Sequence, residues 1–511
     1  MAHLRSRRTR ALTLPVGLAL TASLGFLPAN AASAAPVDAP SAAAVSTDGP
    51  KLSYVVNTRS GPGTVKQVTK AISQAGGTVV ASYDKIGVIV VHTQNPDFAQ
   101  TIRRVKGVDS AGATRTNPIV PQATTDTGAE QPLTAAQAKA AAAGATADQD
   151  PMEPLQWDMP AIKADQAHKK TLGSSKVTVA VIDTGVDDTH PDLAPNFDRA
   201  ASASCASGAA DTSDGAWRPK AGESNHGTHV AGTIAAAKNG IGITGVAPGV
   251  KLAAIKVANP DGFFYTESIV CGFMWAAEHK IDVTNNSYYT DPWMFNCKND
   301  ADQGALVEAV ARATRYAERK GAVNIASAGN SAFDLASDAI EDTTSPNDST
   351  PGSRTIDPSE CLDIPAQLPG VVTVSATGAK GLKASYSNYG NGVIDVSAPG
   401  GDSTVYQTPA PPATSGLILS TLPNGQYGYK AGTSMASPHV AGVAALIKST
   451  HPHASAAAVK ALLLAEADAT ECGAPYDIDG DGTIDAVCEG GKKKNGFYGA
   501  GVVNALNAVR W

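Results

Sequence analysis

Two apolar runs, KVTVAVID at residues 176–183 and GAVNIASAGN at 321–330, set the narrowest limits on the fold. Runs of this kind, closed by turn residues, read as strands buried on both faces, and such strands belong to parallel sheets covered by helices. Helical stretches recur between them. Residues 151–511 are therefore expected to form an α/β domain with a mainly parallel central sheet, in three layers. Asp183 closes the first run, and Thr184 and Gly185 follow at once. A carboxylate at the carboxyl end of a parallel strand stands where such sheets place their active sites. An aspartic protease also uses Asp-Thr-Gly but needs two such carboxylates, and that reading is set aside.

Before this domain, residues 51–120 read as strand, helix, two strands around a turn, helix and strand. That β-α-β-β-α-β order is ferredoxin-like. Small polar residues at 35–50 form one linker by composition, and 121–150 a second, in which TAAQAKAAAAGATA has helical propensity but no apolar stripe to bury. The first residues carry Arg5, Arg7, Arg8 and Arg10, then the apolar ALTLPVGLALTASLGFL, then small residues in ANAASAA. This is the pattern of a removed secretion signal over residues 1–34, with the Arg7–Arg8 pair compatible with a twin-arginine route. A single membrane anchor is the alternative; no second long apolar stretch follows. The net charge of −7 comes without a basic stripe, which argues against a nucleic-acid partner.

Six cysteines fit an oxidising compartment, and none forms the CxxC spacing of a zinc site. Cys472–Cys488, flanking a compact polar loop, is the one pairing favoured.

Three further stretches carry chemistry. His226 and His229 lie in ESNHGTHVAGT, and read alone they could be metal ligands, a base with a bystander, or packing residues. A metal pair would need a third ligand, and Glu223 does not create HExxH. Ser434 enters the helical run AGTSMASPHVAGVAALIK. Such a serine is often only a helix cap, yet a nucleophile there gains backbone N–H groups that suit a developing oxyanion. Asn330 follows a strand and an Ala-Gly pair, so its amide is able to project into a cleft.

Together with GVAP, SAGN, SNYG, SAPG and the closing YGAGVVNA, the motifs DTGVDDTHPDL, HGTHVAGT and GTSMASPHVAG resemble those of subtilisin-type serine proteases (subtilases), in the family's order over 151–511. The resemblance implies a serine endopeptidase with Asp183, His226 and Ser434 as triad and Asn330 as oxyanion donor, and with no catalytic cofactor. Residues 51–120 resemble the family's inhibitory, chaperone-like propeptide. Its tail would block the cleft until self-cleavage within about 118–150. A protein or peptide substrate, the chain's own propeptide as inhibitor, and a secreted, membrane-free monomer are the implied partners and state. Family members hold extended substrate between two strands. Here these would include Gly262 and Phe263 on one side and Ser287, Tyr288 and Tyr289 on the other. The aromatic residues would narrow the groove, or else pack away from it. Ser327, Ala328 and Gly329 would line the primary specificity pocket, and no acidic residue in that stretch argues for a basic preference. DIDGDGTID, residues 477–485, fits the first half of a calcium loop through Asp477, Asp479 and Asp481, with Cys488 where the usual twelfth-position acid would stand and Asp485 as a substitute ligand. A structural calcium is expected there, against a solvated acidic turn. The alternatives are a pseudoprotease that binds without turnover and a protease dedicated to one precursor.

Overall fold

The computed structural model describes residues 49–116, 127–404, 407–473, 476–477 and 482–510. The expected signal peptide, most of the linker after it, and Asp479 and Asp481 lie outside those residues.

The N-terminal unit runs β1 (Leu52–Thr58), α1 (Pro62–Gln74), β2 (Thr78–Tyr83), β3 (Val88–Thr93), α2 (Phe98–Ile102) and β4 (Val108–Ala113), with sheet order β2-β3-β1-β4. Tyr54, Val56, Ile89 and Val91 pack with Val68, Ile72, Phe98 and Ile102 of the two helices. Val55 and Val88 point the other way, because strand residues alternate faces, and they are buried in a core shared with the larger domain. With both faces covered, VIVVHT of β3 has no need of alternation.

Residues 127–150 differ from the free linker expected. β5 (Thr127–Pro132) is a paired strand, and α3 (Ala135–Gly144) starts with a capping box between Thr134 and Gln137. The helix does lack an apolar stripe; only Ala141 is buried, against a cluster that includes Leu155 and Tyr429. Two short helices follow, α4 (Asp158–Ala161) and α5 (Ala164–His168).

Next come β6 (Thr178–Asp183), β7 (Ala203–Ser204), α6 (His226–Ala235), β8 (Lys251–Lys256), α7 (Thr266–Glu278) and β9 (Val283–Asn286). After β10 (Asn296–Cys297) and α8 (Gln303–Arg319) stand β11 (Val323–Ser327), the pair β12 (Ile340–Asp342) and β13 (Arg354–Ile356), and β14 (Cys361–Leu362). The chain then forms β15 (Val372–Thr377), β16 (Val396–Pro399), the antiparallel pair β17 (Ile418–Leu422) and β18 (Gln426–Ala431), and α9 (Thr433–Thr450). β5 pairs with β18 as the third strand of a small antiparallel sheet.

The central sheet is parallel, in the order β16-β15-β11-β9-β6-β8-β7. Val179 and Val181 of β6 enter the core beneath α6 and α9, while Ala180 and Ile182 enter the core beneath α7 and α8. Two buried faces are why this run is apolar at every position.

From Val45 to Trp511 the chain is one compact unit. The N-terminal sheet lies on α7 and α8: Asn57 Nδ2 donates to the Ala305 carbonyl at 2.8 Å, and Arg312 Nη2 pairs with Asp109 at 3.0 Å. A Cβ at Gly112 would stand 2.4 Å from the Asp302 carbonyl oxygen, so only glycine lets β4 approach α8 this closely. Disulfides join Cys205 to Cys271, Cys297 to Cys361 and, as favoured from the sequence, Cys472 to Cys488. Among the described residues no helix is long and apolar enough to cross a membrane.

Candidate active site

The chain leaves β6 toward β8 on one side and toward β9 on the other, so the crevice between β6 and β9 is the switch point of the sheet. Asp183 ends β6, Ser287 follows β9 and Asn330 lies just past β11.

Asp183 is fully buried. Its Oδ1 accepts from the Thr184 amide at 2.6 Å and lies 2.8 Å from His226 Nδ1. A hydrogen bond between ring and carboxylate puts the imidazole proton on Nδ1, which makes Nε2 the basic nitrogen. The Gly227 amide donates to Thr184 Oγ1 at 2.9 Å, and a Cβ at Gly227 would stand 2.4 Å from the Gly185 carbonyl oxygen. The first turn of α6 thus rests directly on the Asp-Thr-Gly turn. A second Asp-Thr-Gly string occurs at 126–128, so the case against an aspartic-protease dyad rests on geometry: the partner of Asp183 is an imidazole.

His229 serves other strands. Its Nε2 lies 3.1 Å from the carbonyl oxygens of both Ile418 and Gly428, so that nitrogen carries a proton and donates to β17 and β18. Among the described residues no group of three or more His, Cys, Asp or Glu side chains is arranged to hold a metal ion. His229→Ala, made in an inert background, is expected to cost about 3 kcal/mol in denaturant unfolding, the scale for emptying a buried ring site. A change below about 0.5 kcal/mol, the range of ordinary surface substitutions, would refute this supporting role.

Ser434 is the second residue of α9 and is buried. Pro438 stands four residues on and has no N–H, so the Ser434 carbonyl lacks its helical donor. Ser287 Oγ replaces it, donating to that carbonyl at 3.1 Å, while Ser434 Oγ lies 3.3 Å from the Ser287 carbonyl. Asn330 Oδ1 accepts from both the amide and the hydroxyl of Thr433 at 2.8 Å, which turns its NH2 toward the neighbouring serine. A point one Cβ out from Gly432 lies 3.5 Å from both Asn330 Nδ2 and the Ser434 amide nitrogen. Both nitrogens lie near the start of α9, beside Ser434.

The expected groove residues divide. Gly262 is at a turn with φ of 93°, and Phe263 is buried with its ring stacked on Tyr265 at 5.6 Å. The Tyr288 side chain is packed inside the protein. Its ring is 2% exposed, stacks on Phe264 at 4.7 Å and donates its hydroxyl to Asn286 Oδ1. Tyr289 is half-buried and accepts from Asn347 Nδ2 at 3.0 Å. Ser327 and Ala328 are buried at the end of β11, and Gly329, with φ of 95°, donates its amide to Thr433 Oγ1. Asp477 accepts from the Gly482 amide at 3.0 Å, and the Asp485 amide donates to the Tyr476 carbonyl at 2.8 Å.

Sequence reasoning missed how the N-terminal unit holds this crevice. Past β4, the Arg115 guanidinium bonds the buried Glu267 and lies 4.0 Å over the Tyr265 ring. The Thr116 amide donates to Asp348 at 2.9 Å. On the far side of residues 117–126, Glu130 of β5 accepts from Asn225, next to His226, at 2.8 Å and pairs with Lys430 at 3.2 Å. Neither anchor has a motif in the sequence, because each joins segments far apart in the chain.

The Subtilase family profile, Peptidase_S8, matches residues 174–501. The chain belongs to the subtilase family. Subtilisin NAT of Bacillus subtilis subsp. natto is 33% identical over 349 residues, 68% of this chain and 70% of that protein. Subtilisin of Bacillus pumilus is 33% identical over the same length and is covered to 96%. In fold, this subtilase is similar to the epidermin leader peptide processing serine protease of Staphylococcus aureus, with a TM-score of 0.63 at 22% identity over 90% of this chain and 98% of that one. Fervidolysin from Fervidobacterium pennivorans gives a TM-score of 0.59 at 25% identity, over 91% and 61%. Subtilases are serine peptidases that act on proteins or peptides without a catalytic cofactor.

Proposed function

We propose that this subtilase is a secreted serine endopeptidase, made as a self-processed zymogen, that works through Asp183, His226 and Ser434. The observation that carries this reading is the buried Asp183–His226 bond at the sheet's switch point, with two nitrogens near the start of α9 beside Ser434. His226 takes the Ser434 hydroxyl proton as that oxygen attacks the substrate carbonyl, then returns it to the leaving amine. Asp183 holds the tautomer and stabilises the imidazolium. Asn330 Nδ2 and the Ser434 amide receive the negative charge on the tetrahedral oxygen. Water then hydrolyses the acyl-enzyme by the same proton path.

A fluorophosphonate probe tests the enzyme against a pseudoprotease of the same fold. Covalent labelling at Ser434 is the expected result, and an unlabelled, correctly folded chain would end the reading.

The N-terminal unit acts as inhibitor and folding partner on this reading, and the matured enzyme is a membrane-free monomer. Thr116 on one side of the crevice and Glu130 on the other support a cut between them. The mature N-terminus is therefore expected within residues 118–131, inside the wider 118–150 window. N-terminal sequencing of the exported protein reads it directly, and a start before residue 100 contradicts the layout. Calcium on Asp477, Asp479, Asp481 and Asp485 stays part of the proposal on their spacing, as a stabilising ion.

A further inference from the structure

The primary pocket has a floor that the SAGN stretch does not reveal. The Ile364 carbonyl accepts from both the amide and the hydroxyl of Thr290 at 2.9 Å, which ties residues 363–364 to the Ser287–Thr290 wall of the crevice. On the other wall, Asp363 Oδ2 lies 3.3 Å from the point where a Cβ on Gly329 would stand. Gly329 is the residue before Asn330. The Asp363 carboxylate is thus held between the two walls, next to the oxyanion donor. Asn388 closes the back, its Nδ2 donating to the Ala328 carbonyl at 2.9 Å.

This carboxylate is 2% exposed, and its Oδ1 has no hydrogen-bond partner among the described residues. No described lysine, arginine or histidine pairs with it. A buried carboxylate without a counter-charge is costly, and burial pushes Asp363 well above the usual carboxylate range. Burial raises the Tyr289 phenol on the opposite wall, with the Asp291 charge adding to it. A cation delivered by the substrate would remove that cost, whereas an apolar side chain would leave it and an acidic one would add to it.

We propose that Asp363 is the specificity-determining residue of the primary pocket and selects peptides with arginine or lysine immediately before the scissile bond. The inference rests on the reading of Ser327–Gly329 as the wall of that pocket. The same chemistry already operates farther along the crevice, where Glu267 holds the chain's own Arg115.

The test uses the full chain, expressed and allowed to mature, with fluorogenic peptides that differ only in Arg, Lys, Leu, Phe or Glu before the cleaved bond. Arginine and lysine peptides are expected to give the highest kcat/KM. Asp363→Asn, which keeps the shape and removes the charge, is expected to lower the Arg-to-Leu ratio of kcat/KM about 10²-fold, the scale for breaking a buried charge pair. A wild-type preference for Leu or Phe would overturn the proposal, as would an unchanged ratio in Asp363→Asn. The wild-type profile decides even if the variant fails to fold. Fluorophosphonate labelling of Ser434 in the same preparation separates the two failures: a labelled enzyme that prefers Leu sinks only the role of Asp363, and an unlabelled, folded chain sinks the protease reading beneath it.

Discussion

Ser434→Ala is expected to lower kcat by about 10⁶-fold and to leave the full-length chain uncut. The magnitude is that known for subtilisin, a relative of this chain, in which loss of the nucleophile or the base alone costs nearly as much as loss of the whole triad. The physical reason is that the groups act as one device: a serine hydroxyl is too weakly acidic to attack an amide until a base removes its proton. His226→Ala should therefore match Ser434→Ala, and the double variant should be no slower than either. The measurement pairs single-turnover kinetics with a gel assay of self-processing. A Ser434→Ala chain that still matures in isolation, free of other proteases, would place the nucleophile elsewhere. Two additive losses would break the coupling between His226 and Ser434 that this mechanism requires.

Asn330→Ala is expected to lower kcat by about 10²–10³-fold with little change in KM, again the scale seen in subtilisin for one oxyanion donor. The donor acts on charge present in the transition state and nearly absent in the bound substrate, so its loss appears in kcat. The structure adds a second consequence. Asn330 Oδ1 accepts from the Thr433 amide and hydroxyl, so the alanine variant also frees two donors at the start of α9. Asn330→Asp keeps an acceptor there and removes the NH2, which separates the tether from catalysis. Both variants should lose kcat, and the alanine variant should lose more thermal stability. A variant less stable but within a few-fold of full kcat would reduce Asn330 to a structural tie.

The parts legible in the sequence are those whose physics is local. KVTVAVID had to be a strand buried on both faces, and its faces do enter two different cores. The ferredoxin-like order of the N-terminal unit followed from strand and helix periods that need only a few neighbouring residues. Asp183, His226, Ser434 and Asn330 stood out because each sits at a strand end or helix start inside a short motif. Of the two histidines in HGTH, the motifs pointed His226 at Asp183, but the sequence could not say which strands His229 would meet. Tertiary packing put one ring on Asp183 and the other on the carbonyls of β17 and β18.

What only the tertiary structure decided are the relations between distant segments. The sequence left the Tyr288 ring at the groove rim or packed away from it, and in the fold it stacks on Phe264. Residues 127–132 carry no strong strand pattern, yet β18 offers them an unpaired edge, and backbone hydrogen bonds need no particular side chains. Ser287 repairs the helix gap left by Pro438, across a large separation in the chain. Asp363 is the sharpest case: a carboxylate in an unremarkable loop acquires meaning only when Thr290 and Gly329 stand on either side of it. By itself the sequence determined the chemistry of peptide hydrolysis, since proton transfer depends on residue types in recognisable turns. The three-dimensional fold decided where the Asp363 carboxylate is buried, since a buried charge is read by what surrounds it, and those surroundings come from three separate stretches of the chain.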